Sequence, residues 1–268
     1  MASKANQLKN KYVTAVLVVL SCLPLVSSKI SRIVNGESVP HCNFPWIVNL
    51  RILREHNYKD YTQMCGASLI ARNKVITAAH CVRSDKNGKV FRIEVNLATD
   101  NPAKPVYTIQ GLRYKYIKQY HLSRNGMPYY DIAIIELEHR VTYSKCLRPI
   151  TLPQRNDVFT GNCWALGWGS NGYDQKPSAS LKIVQLPIVS NSYCPWPGLI
   201  YEQMCAGVFE PWGVHKGICS GDSGGPLICV KNDRPVLAGL ASFGNCGMYP
   251  GVFTKVSSFV DWIYKNIE

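Results

Sequence analysis

Past residue 32 the chain is a series of short segments in which β-branched and apolar residues alternate with polar ones, broken by turn residues. Trp46–Leu53 (WIVNLRIL) alternates most clearly and predicts a strand. Ala67–Ala71, Lys74–Thr77, Phe91–Leu97, Val106–Leu112 and Ile132–Leu137 read the same way. So do Cys163–Gly167, Leu181–Pro187, Pro226–Val230, Val236–Ser242 and Gly251–Val256. Clusters such as Asp85–Gly88 and Asn125–Pro128 supply the turns. Many short strands at this spacing predict a barrel or a sandwich. One helical pattern closes the chain over about 257–267: Phe259, Trp262, Ile263 and Ile267 share a face, and Ser257 or Ser258 stands where a cap belongs. Ser190–Tyr193 predicts a second, single helical turn. There is no internal repeat, linker or low-complexity run.

The first residues follow another pattern. Met1–Tyr12 carries Lys4, Lys9 and Lys11 and no acid; Val13–Val26 is almost wholly apolar; Ser27 and Ser28 follow. A basic start, a short apolar run and a small-residue end describe a secretory signal peptide over residues 1–28, cut after Ser28. The apolar run is short against the ~20 residues that a membrane-spanning helix needs. A signal-anchor is the rival reading. No later stretch is apolar enough to span a bilayer, so the expectation is a secreted, extracellular protein with no membrane partner.

Composition narrows the class. At 268 residues and 46% hydrophobic, the chain can bury a proper core and is not a disordered polymer. Eleven cysteines are many for a reducing cytosol. Cys22 leaves with the leader, and the even remainder predicts five disulfides. Structural zinc is the alternative, but no Cys-x-x-Cys occurs. The formal charge is +13, and residues 1–32 hold five cations and no acid, so the remainder carries +8.

Chemistry gathers at three places: Thr77-Ala-Ala-His80-Cys81 at a strand end, Tyr130-Asp131 at the mouth of an apolar strand, and Cys219-Ser-Gly-Asp222-Ser223-Gly-Gly-Pro226. A lone histidine or a pre-strand aspartate has an ordinary structural reading. A serine between glycines is different, because it offers a bare approach and free backbone N–H groups. Attack on a carbonyl with an oxyanion site alongside requires both.

With Arg32-Ile-Val-Asn-Gly36, Pro45-Trp46, Cys65-Gly-Ala-Ser-Leu-Ile70, Gly167-Trp-Gly169 and Pro250-Gly-Val-Phe-Thr-Lys-Val256, these motifs make the chain resemble the chymotrypsin–trypsin family of serine proteases from Arg32 to Glu268. The resemblance implies an all-β fold of two six-stranded antiparallel barrels, about 33–145 and 150–256, with a C-terminal helix and a cleft between the barrels. It implies Ser223 as nucleophile, His80 as general base, Asp131 as the orienting acid and Ser242 as its support. Gly221 and Ser223 would supply the oxyanion hole. Activity should rise with pH as the imidazole loses its proton.

The resemblance also implies a zymogen. Residues 29–32 would be a short propeptide, cleavage at Arg32–Ile33 would free an amine on Ile33, and that amine would pair with Asp222. The substrate pocket maps to Gly217, Ile218, Ser242, Phe243, Gly244 and Gly251. Trypsin has Asp where Gly217 stands, so the expectation is chymotrypsin-like preference for large apolar or aromatic residues. Elastase-like preference is the alternative, since Ile218 narrows the pocket. A catalytically silent homologue acting as a binding protein is a further alternative. An enzyme without that anion needs a separate trypsin-like activator.

The family pattern implies disulfides Cys65–Cys81, Cys163–Cys229, Cys194–Cys205 and Cys219–Cys246. Cys42 and Cys146 remain and are paired with each other, a departure from that pattern. Expected partners are protein or peptide substrates, the activator and protein inhibitors; the chain is read as a monomer. No cofactor and no required metal are expected, although Glu94 and Asp100 are the acids nearest to a calcium loop. Arg113–Lys118 alternates bases with apolar residues and resembles a nucleic-acid or heparin strip, but a half-buried strand with one solvated face explains it as well. No nucleic-acid partner is expected, and no N-glycosylation sequon occurs.

Overall fold

The computed structural model describes residues 36–40, 42–84, 88–172, 175–209 and 216–267. The leader, the propeptide and the Arg32–Ile33 bond lie outside the described residues. Two closed antiparallel barrels make up the fold. The first comprises β1 (Ile47–His56), β2 (Lys59–Ala71), β3 (Lys74–Thr77), β4 (Lys89–Leu97), β5 (Tyr107–Tyr116) and β6 (Ala133–Leu137). Its order around the wall is β1-β2-β3-β6-β5-β4, with β4 closing on β1. The second comprises β7 (Asn162–Gly167), β8 (Lys182–Val189), β9 (Gln203–Ala206), β10 (Pro226–Lys231), β11 (Arg234–Phe243) and β12 (Gly251–Lys255). Its order is β7-β8-β9-β12-β11-β10, the same permutation, with β10 closing on β7. The expected pair of six-stranded barrels with a C-terminal helix is therefore present.

Residue alternation explains why these strands look apolar throughout. Val75, Ala133 and Ile135 point into the first barrel, while their neighbours Ile76 and Ile134 point out of it. In the second barrel Ala165 and Ala238 point inward, while Leu166 and Leu237 point outward. The outward residues meet one another, with Ile47, Trp168, Phe259 and Ile263, in a third cluster between the barrels. Both faces of these strands are buried, so the usual polar half of the pattern is missing. Burial of one barrel wall against the other also fixes the cleft.

Three local expectations need correction. The β1–β2 hairpin is much longer than the sequence suggests, pairing from Ile47–Ser68 out to His56–Lys59. Its two-residue turn is Asn57-Tyr58, with φ of 50° and 60°. Such a turn matches strand twist, but tyrosine is not a residue that advertises it. Strand β9 was not expected, because four consecutive buried residues show no alternation. The helix, α2, runs Val260–Ile267 after a 3₁₀ turn at Val256–Ser258, so it starts later than the pattern predicts. Neither serine caps it: Ser257 Oγ donates to the Asp157 carbonyl at 2.8 Å, and Ser258 Oγ is buried without a partner among the described residues. Ser190–Tyr193 does form a hydrogen-bonded turn, Tyr193 N donating to Ser190 O at 2.8 Å.

The inter-barrel cluster gives a direct test. Ile76→Ala removes a fully buried side chain from it and should cost about 2–4 kcal/mol in a denaturant titration. Val230→Ala, at a residue 55% exposed, should cost under about 0.5 kcal/mol.

Candidate active site

Strand β3 ends at Thr77, and the chain turns at once into the single helical turn α1 (Ala79–Val82) that carries His80. Asp131 precedes β6, the strand paired with β3, so the two residues emerge side by side. Tyr130, with φ of 54°, makes the sharp bend that turns Asp131 inward. Asp131 Oδ2 accepts from His80 Nδ1 at 2.7 Å and from Ser242 Oγ at 2.7 Å, and Oδ1 accepts from His80 N at 2.9 Å. Thr254 Oγ1 donates to the Asp131 carbonyl at 2.8 Å. The first barrel thus supplies the acid and the imidazole, and the second supplies two hydroxyls. A carboxylate only accepts, so Nδ1 carries the proton and Nε2 is left as the acceptor.

Burial by itself would raise the pKa of Asp131. The charge and hydrogen bonds of His80, then the Ser242 bond, more than offset it, and the acid is held below its usual 3.8. His80 keeps 22% of its side chain exposed, so the outer edge of the ring faces the cleft.

Ser223 lies in a glycine loop pressed against the His80 turn. Its carbonyl accepts from Gly66 N at 2.7 Å and lies 3.6 Å from the Cys81 sulfur. Gly224, at φ +75°, approaches so closely that a Cβ there would collide with Thr77 Oγ1 and stand 2.8 Å from Ala78 N. A side chain at 224 would push the serine away from the imidazole's strand end. The amides of Gly221 and Ser223 have no acceptor among the described residues. They are the donors that an oxyanion needs.

Asp222, next to Ser223, is 1% exposed. Its carboxylate accepts from Gly169 N at 2.7 Å and Cys219 N at 3.0 Å. Burial nevertheless pushes its pKa up to about 6, against the pull of these two bonds. Among the described residues no cation pairs with it. Gly167 and Gly169 both abut this carboxyl so tightly that a Cβ at either would strike it.

A cavity of about 200 Å³ opens beside Ser223, lined by Ile218, Ser220, Ser242, Phe243 and Gly244 among others. No charged side chain lines it. A second, of about 260 Å³, adjoins His80 and shares Ser242 with the first. Gly217 and Gly251 are not on the first cavity's wall. Ile218 lies against Gly251 and Gly244: a Cβ at Gly251 would stand 2.8 Å from Ile218 Cγ1, and one at Gly244 3.1 Å from it. Gly217 packs instead on Gly247, 3.0 Å from an ideal Cβ.

Sequence reasoning missed Arg54. It is 2% exposed and uses all five of its N–H donors. Nε donates to Gln63 Oε1 at 2.7 Å; Nη1 donates to Arg83 O and Gly88 O at 3.0 and 3.2 Å; Nη2 donates to His80 O and Cys81 O at 3.2 and 2.8 Å. One guanidinium therefore ties down the turn that carries His80. No local pattern announces it, because it stands at the head of the polar run Arg54–Asn57 as one charge among several.

Five disulfides join Cys42–Cys146, Cys65–Cys81, Cys163–Cys229, Cys194–Cys205 and Cys219–Cys246. Two of them brace the site, one at the His80 turn and one at the Ser223 loop. Cys65, His80 and Cys81 cluster as metal ligands would, but both sulfurs are spent in a disulfide. Glu94 is occupied by Arg51 and Arg92 at 2.8 and 3.3 Å. Among the described residues no helix is long and apolar enough to cross a membrane.

A family model described as Trypsin matches residues 33–263. Coagulation factor XI of Bos taurus is 31% identical over 248 residues, which is 89% of this chain. The chain spans only 38% of that protein's length. Barrel pair, cleft geometry and family match agree, and the chain belongs to the trypsin family.

Proposed function

We propose that this chain is the precursor of a secreted serine endopeptidase. The observation that carries the reading is the bonded series Ser242–Asp131–His80, closed on one side by the Ser223 loop, two of whose amides have no acceptor among the described residues. In the mechanism it supports, Ser223 Oγ attacks the substrate carbonyl and passes its proton to His80 Nε2. The Gly221 and Ser223 amides meet the oxyanion. Collapse expels the amine, which takes the proton from His80, and water then repeats the sequence on the acyl-enzyme. Asp131 stays ionised and stabilises the imidazolium.

Cleavage at Arg32–Ile33 is the proposed switch. A buried carboxylate with only neutral partners is a poor resting state for Asp222. A new ammonium at Ile33 would supply the missing charge and hold the loop that presents Ser223. A trypsin-like protease is the activator we propose, because the specificity cavity holds no anion for arginine. Protein substrates and protein inhibitors are the other expected partners. Ile218, which lines the cavity and packs against Gly244 and Gly251, favours medium aliphatic side chains over the Phe or Tyr that open glycines alone would admit.

After cleavage by added trypsin, a serine-directed organophosphate should label Ser223, and Ser223→Ala should lower kcat about 10⁴-fold or more. An intact, cleaved chain that resists labelling would instead be a binding homologue.

The uncut chain should also report on Asp222. Its folded pKa of about 6 lies above the ordinary aspartate value of 3.8, so the protonated form favours folding. Stability should be full below about pH 4 and fall by about 3 kcal/mol as pH rises past 6. Asp222→Asn should flatten that curve in thermal melts between pH 4 and 7, yet abolish the gain of activity on cleavage. An unchanged curve would remove the basis for the switch.

On a peptide panel, preference should fall on uncharged residues. Ile218→Ala should raise kcat/KM for Phe relative to Val about tenfold or more. Preference for Arg or Lys would overturn the specificity reading.

A further inference from the structure

One groove in the described structure lies away from the cleft. It has a volume of about 630 Å³, runs between the end of β5 and α2, and shares no lining residue with either cavity of the active site. Lys115, Lys118 and Lys265 line it, and among the described residues no carboxylate does. A second cavity, of about 260 Å³, continues it through the shared residues Tyr114, Lys115 and Asn266, and adds Lys74, Arg113 and Glu136.

Strand register explains why the charge is uncompensated. Glu136 on β6 lies opposite Lys74 on β3 and Arg113 on β5, and it pairs with both, at 3.4 and 3.3 Å. One acid therefore serves two cations. Two residues further along β5, Lys115 lies opposite Ile134, where no acid stands. Lys115, Lys118 and Lys265 are exposed and have no acidic partner among the described residues. Tyr116 and Trp262 add aromatic faces to the wall. Strand rise of ~3.4 Å per residue separates Arg113 from Lys115 along β5, and Lys118 follows in the loop beyond it, so the cations form a row rather than a point. A solvated strand face needs no second element to complete it, yet Lys265 arrives from α2, across the groove.

The geometry points to a binding site for a sulfated linear polysaccharide, lying along the groove. A row of cations matches a chain of spaced anions, and four of the five are lysines, which meet sulfates as point charges rather than through a planar fork. The aromatic faces suit the apolar faces of sugar rings. The choice of a glycan over a nucleic acid rests on the proposed export of the chain. Occupying the groove leaves the cleft open, so the ligand would tether the protein without blocking small substrates.

The test uses the activated chain and a fluorescent heparin fragment, with unsulfated hyaluronan and a single-stranded DNA of matched charge as competitors. Lys115→Glu/Lys118→Glu/Lys265→Glu should weaken heparin binding about tenfold or more and lower the log–log salt slope by about 2–3. Its thermal midpoint and its hydrolysis of a small peptide should stay unchanged. The control Lys104→Glu/Lys145→Glu/Arg234→Glu changes as much charge at exposed sites elsewhere, and its affinity should move less than threefold. Equal losses in both triple variants would mean that net charge alone binds heparin, and would overturn the site. DNA or hyaluronan competing as well as heparin would overturn the choice of ligand. Binding is read without turnover, so an inactive enzyme that still binds heparin fails the protease reading alone.

Discussion

The buried carboxylate of Asp131 holds the active cleft together. It sits where the barrels meet and accepts hydrogen bonds from both of them, two from His80 and one from Ser242. Burying an ionised acid is costly unless every lone pair direction is used. Here the same bonds that stabilise the charge also fix the imidazole tautomer and set one barrel against the other. Thr254, donating to the carbonyl of the same residue, adds a second tie from β12.

Around that centre, positions are set by close backbone approach as much as by side chains. Gly66 and Gly224 let the Ser223 loop rest on the end of β3, where a methyl group would hold it off. Arg54 fixes the other side of the His80 turn through four backbone carbonyls. A guanidinium satisfied wholly by neutral acceptors adds rigidity without adding a counter-charge beside the imidazole.

Asp131 and Asp222 are chemically identical and almost equally buried, yet their acidities move in opposite directions. Asp131 has a basic ring and a hydroxyl against it, and its pKa falls. Among the described residues Asp222 has only two backbone amides, and its pKa rises to about 6. Environment alone separates the two: charged and hydroxyl donors favour the ionised form of one, and burial against neutral amides favours the protonated form of the other.

Much of this was legible in the residues. Strand alternation announced an all-β fold, and the serine between glycines announced a nucleophile loop, because both signals are local: they depend on side-chain period and on backbone freedom. Tyr58, Arg54 and Ser257 were not legible. A tyrosine at positive φ, an arginine at the head of a polar run and a serine diverted from helix capping take their roles from a strained turn or from partners far along the chain, such as the His80 and Asp157 carbonyls. The chemistry of the site, then, was determined by sequence alone: which groups exist and which loops can present them. Only the tertiary structure decided that Ile218 packs against Gly244 and Gly251 and that five cations from two strands, a loop and a helix line two adjoining cavities. Both outcomes depend on which surfaces two closed barrels bury against each other, and no local pattern encodes that.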